Sequence, residues 1–418
     1  MKQGRTKSMG VGYDIAVVGG GIAGVAAAIQ AARLGRRVAL IEKNAFTGGL
    51  ATAGLINVFL PLCDGNGHQV SFGLAEEMLR RSLKYGPGEI PPRWRVERDA
   101  AERKRFISVF SPASLVLALD ELLEEAGVTV YLDTLVCAAK TAGNRLTGVA
   151  VENESGRFTL RARQFIDASG SAVLGRRLGL PVTAGENYFS LWALECVRGK
   201  IEMNIGAVYG NGVATGKFSD AALAESGWSR QRLAEQKQTG IDGRQVSEYL
   251  QKTRGYLRGY YRHCYRQEEA TRESLYPVAL PIMPQYRKIC AIQAAETMRD
   301  GQANRYVPDS VGLVADWRRA GSVWEVPFRS LYSASGPGNL LFAGRCMGAV
   351  GDAWEVMRVI PAAAVTGQAA GMAAALALRD RLPLRELSVE RLGDELKRRG
   401  IPRHLEELGL TEPCRKER

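Results

Sequence analysis

Histidine is scarce in this chain. The three that 418 residues contain, His68, His263 and His404, have no ligand-like spacing, so no metal site is expected. The seven cysteines, at 63, 137, 196, 264, 290, 346 and 414, are odd in number and form no Cys-x-x-Cys pair. Neither a disulfide framework nor an iron–sulfur cluster is indicated. Gly-x-Ser-x-Gly is missing, and with it the commonest serine-hydrolase signal. No run is both long and Leu-rich. Residues 359–378 come nearest, but they carry Pro361, Thr366 and Gln368 around a Gly367-x-x-x-Gly371 spacing, which suits a helix packed tightly inside a protein rather than a membrane span. The basic residues 1–10 precede no apolar signal core, so a loose leader and a cytoplasmic protein are expected, without membrane association. There is no internal repeat.

What is present is an ordinary globular composition, 46% hydrophobic and 24% charged. The length calls for two domains, or one large α/β domain with an insertion. A formal charge of +12 suits a nucleic acid, a membrane surface or an anionic small substrate, and does not choose among them.

The informative stretch is Tyr13 to Glu42, YDIAVVGGGIAGVAAAIQAARLGRRVALIE. Ile15 to Val18 is the short unbroken apolar run of a strand buried on both faces. Gly19 allows a sharp turn, Gly21 allows backbone to approach a pyrophosphate, and Gly24 allows close helix–strand packing. The following helix, Ile22 to Leu34, would offer its free N–H groups and positive dipole end to a diphosphate at Ile22 and Ala23. After the return strand Val38 to Ile41, Glu42 stands 18 residues past Gly24, near the spacing at which a carboxylate reaches ribose hydroxyls. This is the start of a dinucleotide-binding domain.

Lys43 to Thr52, with Gly48, Gly49, Leu50 and Ala51, is a glycine-rich link that can bring backbone close to a ligand. A lid insert is expected at about 58–110, with a helix at Leu74–Lys84 and a loop through Gly86-Pro87-Gly88 and Pro91-Pro92. Ser111-Pro112 opens a helix over Ala113–Ala126. Strands follow at Val128–Leu132, on both sides of Gly143-Asn144, and at Arg163–Ala168. Between Val182 and Glu325 a separate cap is expected, with strands near Tyr188–Val197 and Lys288–Ala295 flanking a helical stretch, Asp220–Thr271. GNGVATGK, residues 210–217, has the wrong glycine spacing for a phosphate loop and reads as a turn. Glu325–Tyr332 and Asn339–Phe342 return to sheet, Pro361 starts a long helix, and Asp380 onward reads as a short surface helix pair.

Three blocks together resemble the FAD-dependent oxidoreductases of the glutathione-reductase-like superfamily: residues 14–54; FIDASG at 165–170; and NLLFAGRCMGAVGDAWEVMRVIPAAAVTGQAAG at 339–371. The resemblance implies FAD, because an NAD enzyme has no need of a distant C-terminal block returning to the same site. It implies an α/β fold: a Rossmann-like FAD-binding domain, with parallel sheet, helices and a β-meander, carrying an inserted α+β cap. The expected parts are 10–182, cap 183–325, 326–385, and a helical tail 386–418. Cofactor contacts are expected at Gly19, Gly21, Ile22, Ala23, Gly24, Glu42, Lys43, Gly48, Gly49, Leu50, Ala51, Val136, Ala168, Ser169, Gly170, Gly344, Arg345, Arg358, Pro361, Ala362 and Ala363.

Reduction puts negative charge on the flavin's pyrimidine side, where the resemblance aims the helix begun by Pro361 and where Arg345 or Arg358 could add a cation. His68 is a candidate proton acceptor. Arg287 and Tyr286 are candidates for the substrate pocket by resemblance. Only one strand-anchored G-x-G-x-x-G is present, so electrons are expected directly from a small-molecule substrate, with dioxygen, a quinone or a carrier as acceptor. The alternatives are a monooxygenase or reductase fed by a partner, and an RNA-binding flavoprotein using Arg254, Arg258, Tyr260, Tyr261, Arg262, Tyr265 and Arg266. For this last group a solvated basic face over aromatic core contacts is the favoured reading, so a nucleic-acid partner is not expected.

Overall fold

The computed structural model describes residues 12–90, 107–208, 214–217 and 219–410. Its opening strand, Tyr13–Val18, is buried from Ile15 to Val18 and pairs in parallel with Val38–Ile41 on one side and with the end of Gly156–Asp167 on the other. The strand order is 129–131, 38–41, 13–18, 156–167, 145–153, 135–142. Leu340–Phe342 joins in parallel beside residues 165–167. The single strand 156–167 does two jobs: its first half closes an antiparallel meander, and its second half runs into the parallel sheet.

The opening helix, Ile22–Arg33, begins at Gly21 and stops at Leu34 and Gly35, the latter at φ +77°. Its partner is the closing helix, Ile360–Asp380, which is long and apolar enough to cross a membrane but is buried within the protein from Pro361 to Leu378. The two meet through small residues: a Cβ added at Gly367 or Gly371 would collide with the carbonyl oxygen of Ala23 or Ala27. That close approach explains the alanine and glycine content that separates this helix from a Leu-rich span.

The chain forms two compact units, one from residues 1–49, 57–183 and 291–418, the other from 50–56 and 184–290. Residues 291–325, expected in the cap, therefore belong to the first unit. There Ser310–Ala315 and Val323–Pro327 pair as a hairpin. The tail also differs from a surface helix pair. In Val389–Arg398, Leu392 and Leu396 are buried, and Leu405 packs with Val70, Leu313 and Val323. Buried His404 holds Glu325 through Nδ1 at 2.9 Å. In the expected lid, Val58–Phe59 pairs with Ser108–Val109 and the helix spans Leu74–Ser82. Pro91-Pro92 lies outside the described residues.

The second unit is a four-stranded antiparallel sheet in the order 214–216, 200–208, 190–197, 275–279. One helix, Gly243–Arg266, started by Asp242 accepting the N–H of Gln245 at 2.9 Å, packs its Tyr256, Leu257, Tyr261 and Cys264 onto Leu191, Ala193 and Val208. Of these four strands only Ser190–Val197 was expected. Lys200–Val208 was readable, since Ile201, Met203, Ile205 and Ala207 alternate with less apolar residues, whereas Ala214–Gly216 is a strand inside the expected turn and Leu275–Ala279 was not foreseen. The expected strand Lys288–Ala295 shrinks to Cys290–Ile292.

Candidate active site

At the opening turn, Gly19 and Gly24 stand where a side chain would not fit. A Cβ on Gly19, at φ +99°, would come within 2.6 Å of Ser169 Cα, and one on Gly24 would strike the carbonyl oxygen of Gly19. Gly48 donates its N–H to Gly20 O at 2.7 Å, and a Cβ on Gly49 would lie 3.1 Å from Gly21 Cα. On Gly344, at φ +69°, a Cβ would meet that of Ala23 at 2.8 Å. On Gly170 it would strike the guanidinium of Arg345. Three stretches separated by more than a hundred residues thus converge within the first unit.

Glu42 is buried, its Oε2 accepting Gly20 N–H at 2.6 Å and its Oε1 accepting Asn44 N–H at 2.9 Å. Lys43 is exposed. Thr134 donates its N–H to Glu42 O at 2.9 Å, and buried Val136 follows two residues after Thr134. Leu50 and Ala51 belong with the second unit. Pro361 stands in the first turn of the closing helix, after Val359, and Ala362 and Ala363 are buried beside it.

Several residues that shape the site were not anticipated. Asp167, fully buried, accepts Ser169 N–H at 3.1 Å, Ser169 Oγ–H at 2.6 Å and Leu174 N–H at 2.7 Å, fixing the 168–170 turn. Burial pushes its carboxyl up, and these donors pull it back. Ala343 donates its N–H to Asp167 O at 3.0 Å, and Gly344 donates its own to Thr366 Oγ1 at 3.0 Å. The signal for Asp167 lay in the sequence, an acid just ahead of Ser169-Gly170. Thr366 could be placed only once the closing helix was.

Arg345 is half-buried. Burial pushes its guanidinium down to about 10, with neighbouring Arg358 adding to the fall and Cys346 opposing it. At neutral pH it remains a cation. Arg358 is committed to Glu355, Nε to Oε2 at 2.7 Å, and lies 5.9 Å from the Trp317 ring centroid, as a structural ion pair would. His68 Nδ1 donates to Asp64 Oδ2 at 3.0 Å, while Asp64 Oδ1 takes the N–H groups of Asn66 and His68. Its ring is 42% exposed, and with Nδ1 donating, Nε2 is left as an acceptor.

Arg287 and Tyr286 lie in the second unit. Arg287 donates to Ser190 Oγ at 2.9 Å over the Trp192 ring. Tyr286 is buried with its ring 4.6 Å from that of Tyr249, a core residue rather than a pocket wall. On the cap helix Arg254, Arg258, Arg262 and Arg266 are exposed, Tyr261 is buried, and Tyr260 and Tyr265 are half-buried against the core. A basic face over aromatic packing is what the structure contains; a base-stacking platform needs its rings outward.

The fit to a dinucleotide can be judged from the cradle itself. Gly21 begins the opening helix with no side-chain cap and no acid in the first turn, and a Cβ on it would meet no atom within 4 Å. The helix N–H groups are therefore left for an anion, with a carboxylate acceptor on the neighbouring strand at Glu42.

The model of the family described as FAD dependent oxidoreductase matches residues 14–287 and 289–396. Over 180 residues, 41% of this chain and 43% of the relative, the chain is 28% identical to the digeranylgeranylglycerophospholipid reductase of Picrophilus torridus. Over 193 residues, 44% of this chain and 43% of the relative, it is 27% identical to the probable electron transfer flavoprotein-quinone oxidoreductase YdiS of Escherichia coli K12. The match spans less than half the length of either relative. Among solved structures, a geranylgeranyl bacteriochlorophyll reductase-like protein of Thermoplasma acidophilum aligns over 93% of this chain and 83% of its own, with TM-score 0.45 and 13% identity.

Proposed function

Because the chain belongs to the FAD-dependent oxidoreductase family, we propose that it takes a hydride from a small-molecule substrate and passes the electrons to a separate acceptor. The observation carrying this reading is the convergence of Gly19–Gly24, Ala168–Gly170 and Gly344–Arg345. The parallel sheet with its meander supports a finer placing in the glutathione-reductase-like superfamily.

FAD, when bound, supplies the two-electron chemistry. The first-turn N–H groups of Ile22 and Ala23 would receive the diphosphate, and Glu42 the ribose hydroxyls. An acid there disfavours a 2′-phosphate. The start of the closing helix and Arg345 would stabilise negative charge on the reduced isoalloxazine, the dipole contributing roughly 0.3–1 kcal/mol, or up to about 2 when partly buried. His68, its ring oriented by Asp64, would accept a proton at Nε2.

The sequence has a single strand-anchored G-x-G-x-x-G, which supports a direct electron donor over a built-in nicotinamide site. The test is anaerobic: the purified yellow protein is mixed with a metabolite panel and flavin bleaching is followed at catalytic concentrations. A substrate that bleaches it, with NADPH inert, is expected. Rapid reduction by NADPH with no partner present would replace this reading with a reductase or monooxygenase.

A further inference from the structure

The cap sheet has two faces of different character. Along Ser190–Val197, Leu191 and Ala193 join the core under the cap helix, and Glu195 accepts from Tyr261 Oη at 3.2 Å. The alternate residues Trp192, Leu194 and Cys196 point the other way, since successive side chains on a strand alternate. Their cross-strand partners are Ile205, Met203 and Ile201, and Tyr276 pairs with Cys196 on the other side. Among the described residues of these three strands, this face carries no charged side chain.

A cation stands at its inner end. Arg287 donates Nη1–H to Ser190 Oγ at 2.9 Å, and its guanidinium lies 5.7 Å from the Trp192 ring centroid. Trp192, Leu194 and Met203 are half-buried, and at the far end Tyr276 is 40% and Ile201 59% exposed on either side of buried Cys196. An apolar face that ends in exposed Ile201 and Tyr276 is a candidate binding surface. A bilayer would want cations at the exposed rim, yet here the cation is at the sheltered end. Pro277 in the outer strand Leu275–Ala279 removes one of the N–H groups through which a second copy would add a strand.

We propose that this face binds an amphiphilic carboxylate, its head on Arg287 and its chain running over Trp192, Leu194 and Met203 toward Ile201 and Tyr276. This deepens the reading above by naming the substrate class. Cys196 stands four positions along the strand from Trp192, so the apolar track is about 13 Å long, the length of roughly ten extended carbons.

The test is calorimetric titration of the flavin-loaded protein with decanoate, shorter and longer fatty acids, and 1-decanol. Decanoate is expected to bind at one per chain. Affinity should fall about fourfold for each methylene removed and level off beyond roughly ten to twelve carbons. The alcohol should bind at least tenfold more weakly. Arg287→Met should bring decanoate down to the alcohol's affinity, with Arg287→Lys recovering part. Leu194→Asn should weaken both ligands, and Met203→Gln provides a second variant should the first misfold. Absence of saturable decanoate binding, indifference to Arg287→Met, or sedimentation with phosphatidylserine vesicles without binding of monomeric decanoate would each overturn the proposal, as would a dimer that buries this face. Flavin absorbance in the same samples separates the two readings: a yellow protein blind to decanoate loses only this one, and a colourless protein loses the other.

Discussion

At the level of single residues, the cradle tolerates almost no added volume. Gly344→Ala would place a methyl 2.8 Å from Ala23 Cβ at a backbone φ of +69°, and should lower FAD affinity at least tenfold. Gly12→Ala meets nothing within 4 Å and should leave it alone; fluorescence of released flavin measures both. Arg345 poses the opposite problem, a charge kept where burial disfavours it. Burial pushes its guanidinium down to about 10, so its charged form costs folding stability at every pH below about 10. That cost is relieved as pH climbs above 10 toward the ordinary arginine range. Arg345→Met should therefore raise the melting temperature of the apoprotein at neutral pH. It should also make the flavin midpoint potential more negative, by about 20 mV if roughly 1 kcal/mol of stabilisation is lost. An unchanged potential would dismiss the role. The glycines and Glu42 were legible because their meaning resides in spacing along one strand–turn–helix. Thr366 and the Cys346 thiol, which rests on Asp167 O at 3.3 Å, act across chain separations that no local pattern reports. The Arg358–Glu355 pair, three residues apart, could have been read from helical spacing.

Among elements, the crossing of the opening and closing helices decides whether the sheet can present its ends to a ligand. Gly371→Leu drives a side chain into the Ala27 carbonyl. Overpacking of this kind should cost about 1–3 kcal/mol, read as a lowered urea midpoint accompanied by flavin loss. The crossing was foreseeable from Gly367-x-x-x-Gly371 and the alanines around it. The cap was foreseeable only in outline. Its strand Lys200–Val208 puts Lys200, Glu202 and Asn204 between apolar positions, and Asn204 serves buried Glu195 through Nδ2 at 2.9 Å. A polar residue that is inside because another polar residue needs it defeats a simple hydrophobic count. The tail misled for a similar reason: its charges surround the few leucines and the one histidine that dock it.

Across the whole molecule, the first unit is assembled from three separated lengths of chain, while the second is one long insertion with a short contribution from 50–56. A chain stopped after residue 335 has the opening turn and Glu42 but lacks Leu340–Phe342, Gly344, Arg345 and the entire closing helix. It should be purified without flavin and be far more readily cut by protease than the full chain. Addition of residues 336–410 as a separate polypeptide should restore colour if docking alone is sufficient. On the ribosome, the cofactor's last walls, Gly344 and the closing helix, emerge more than three hundred residues after the opening turn. Translation therefore outruns ligand capture, and FAD acts as a late inspector that only a chain carrying the closing helix can satisfy. A cell short of riboflavin would accumulate unsealed molecules rather than arrested fragments.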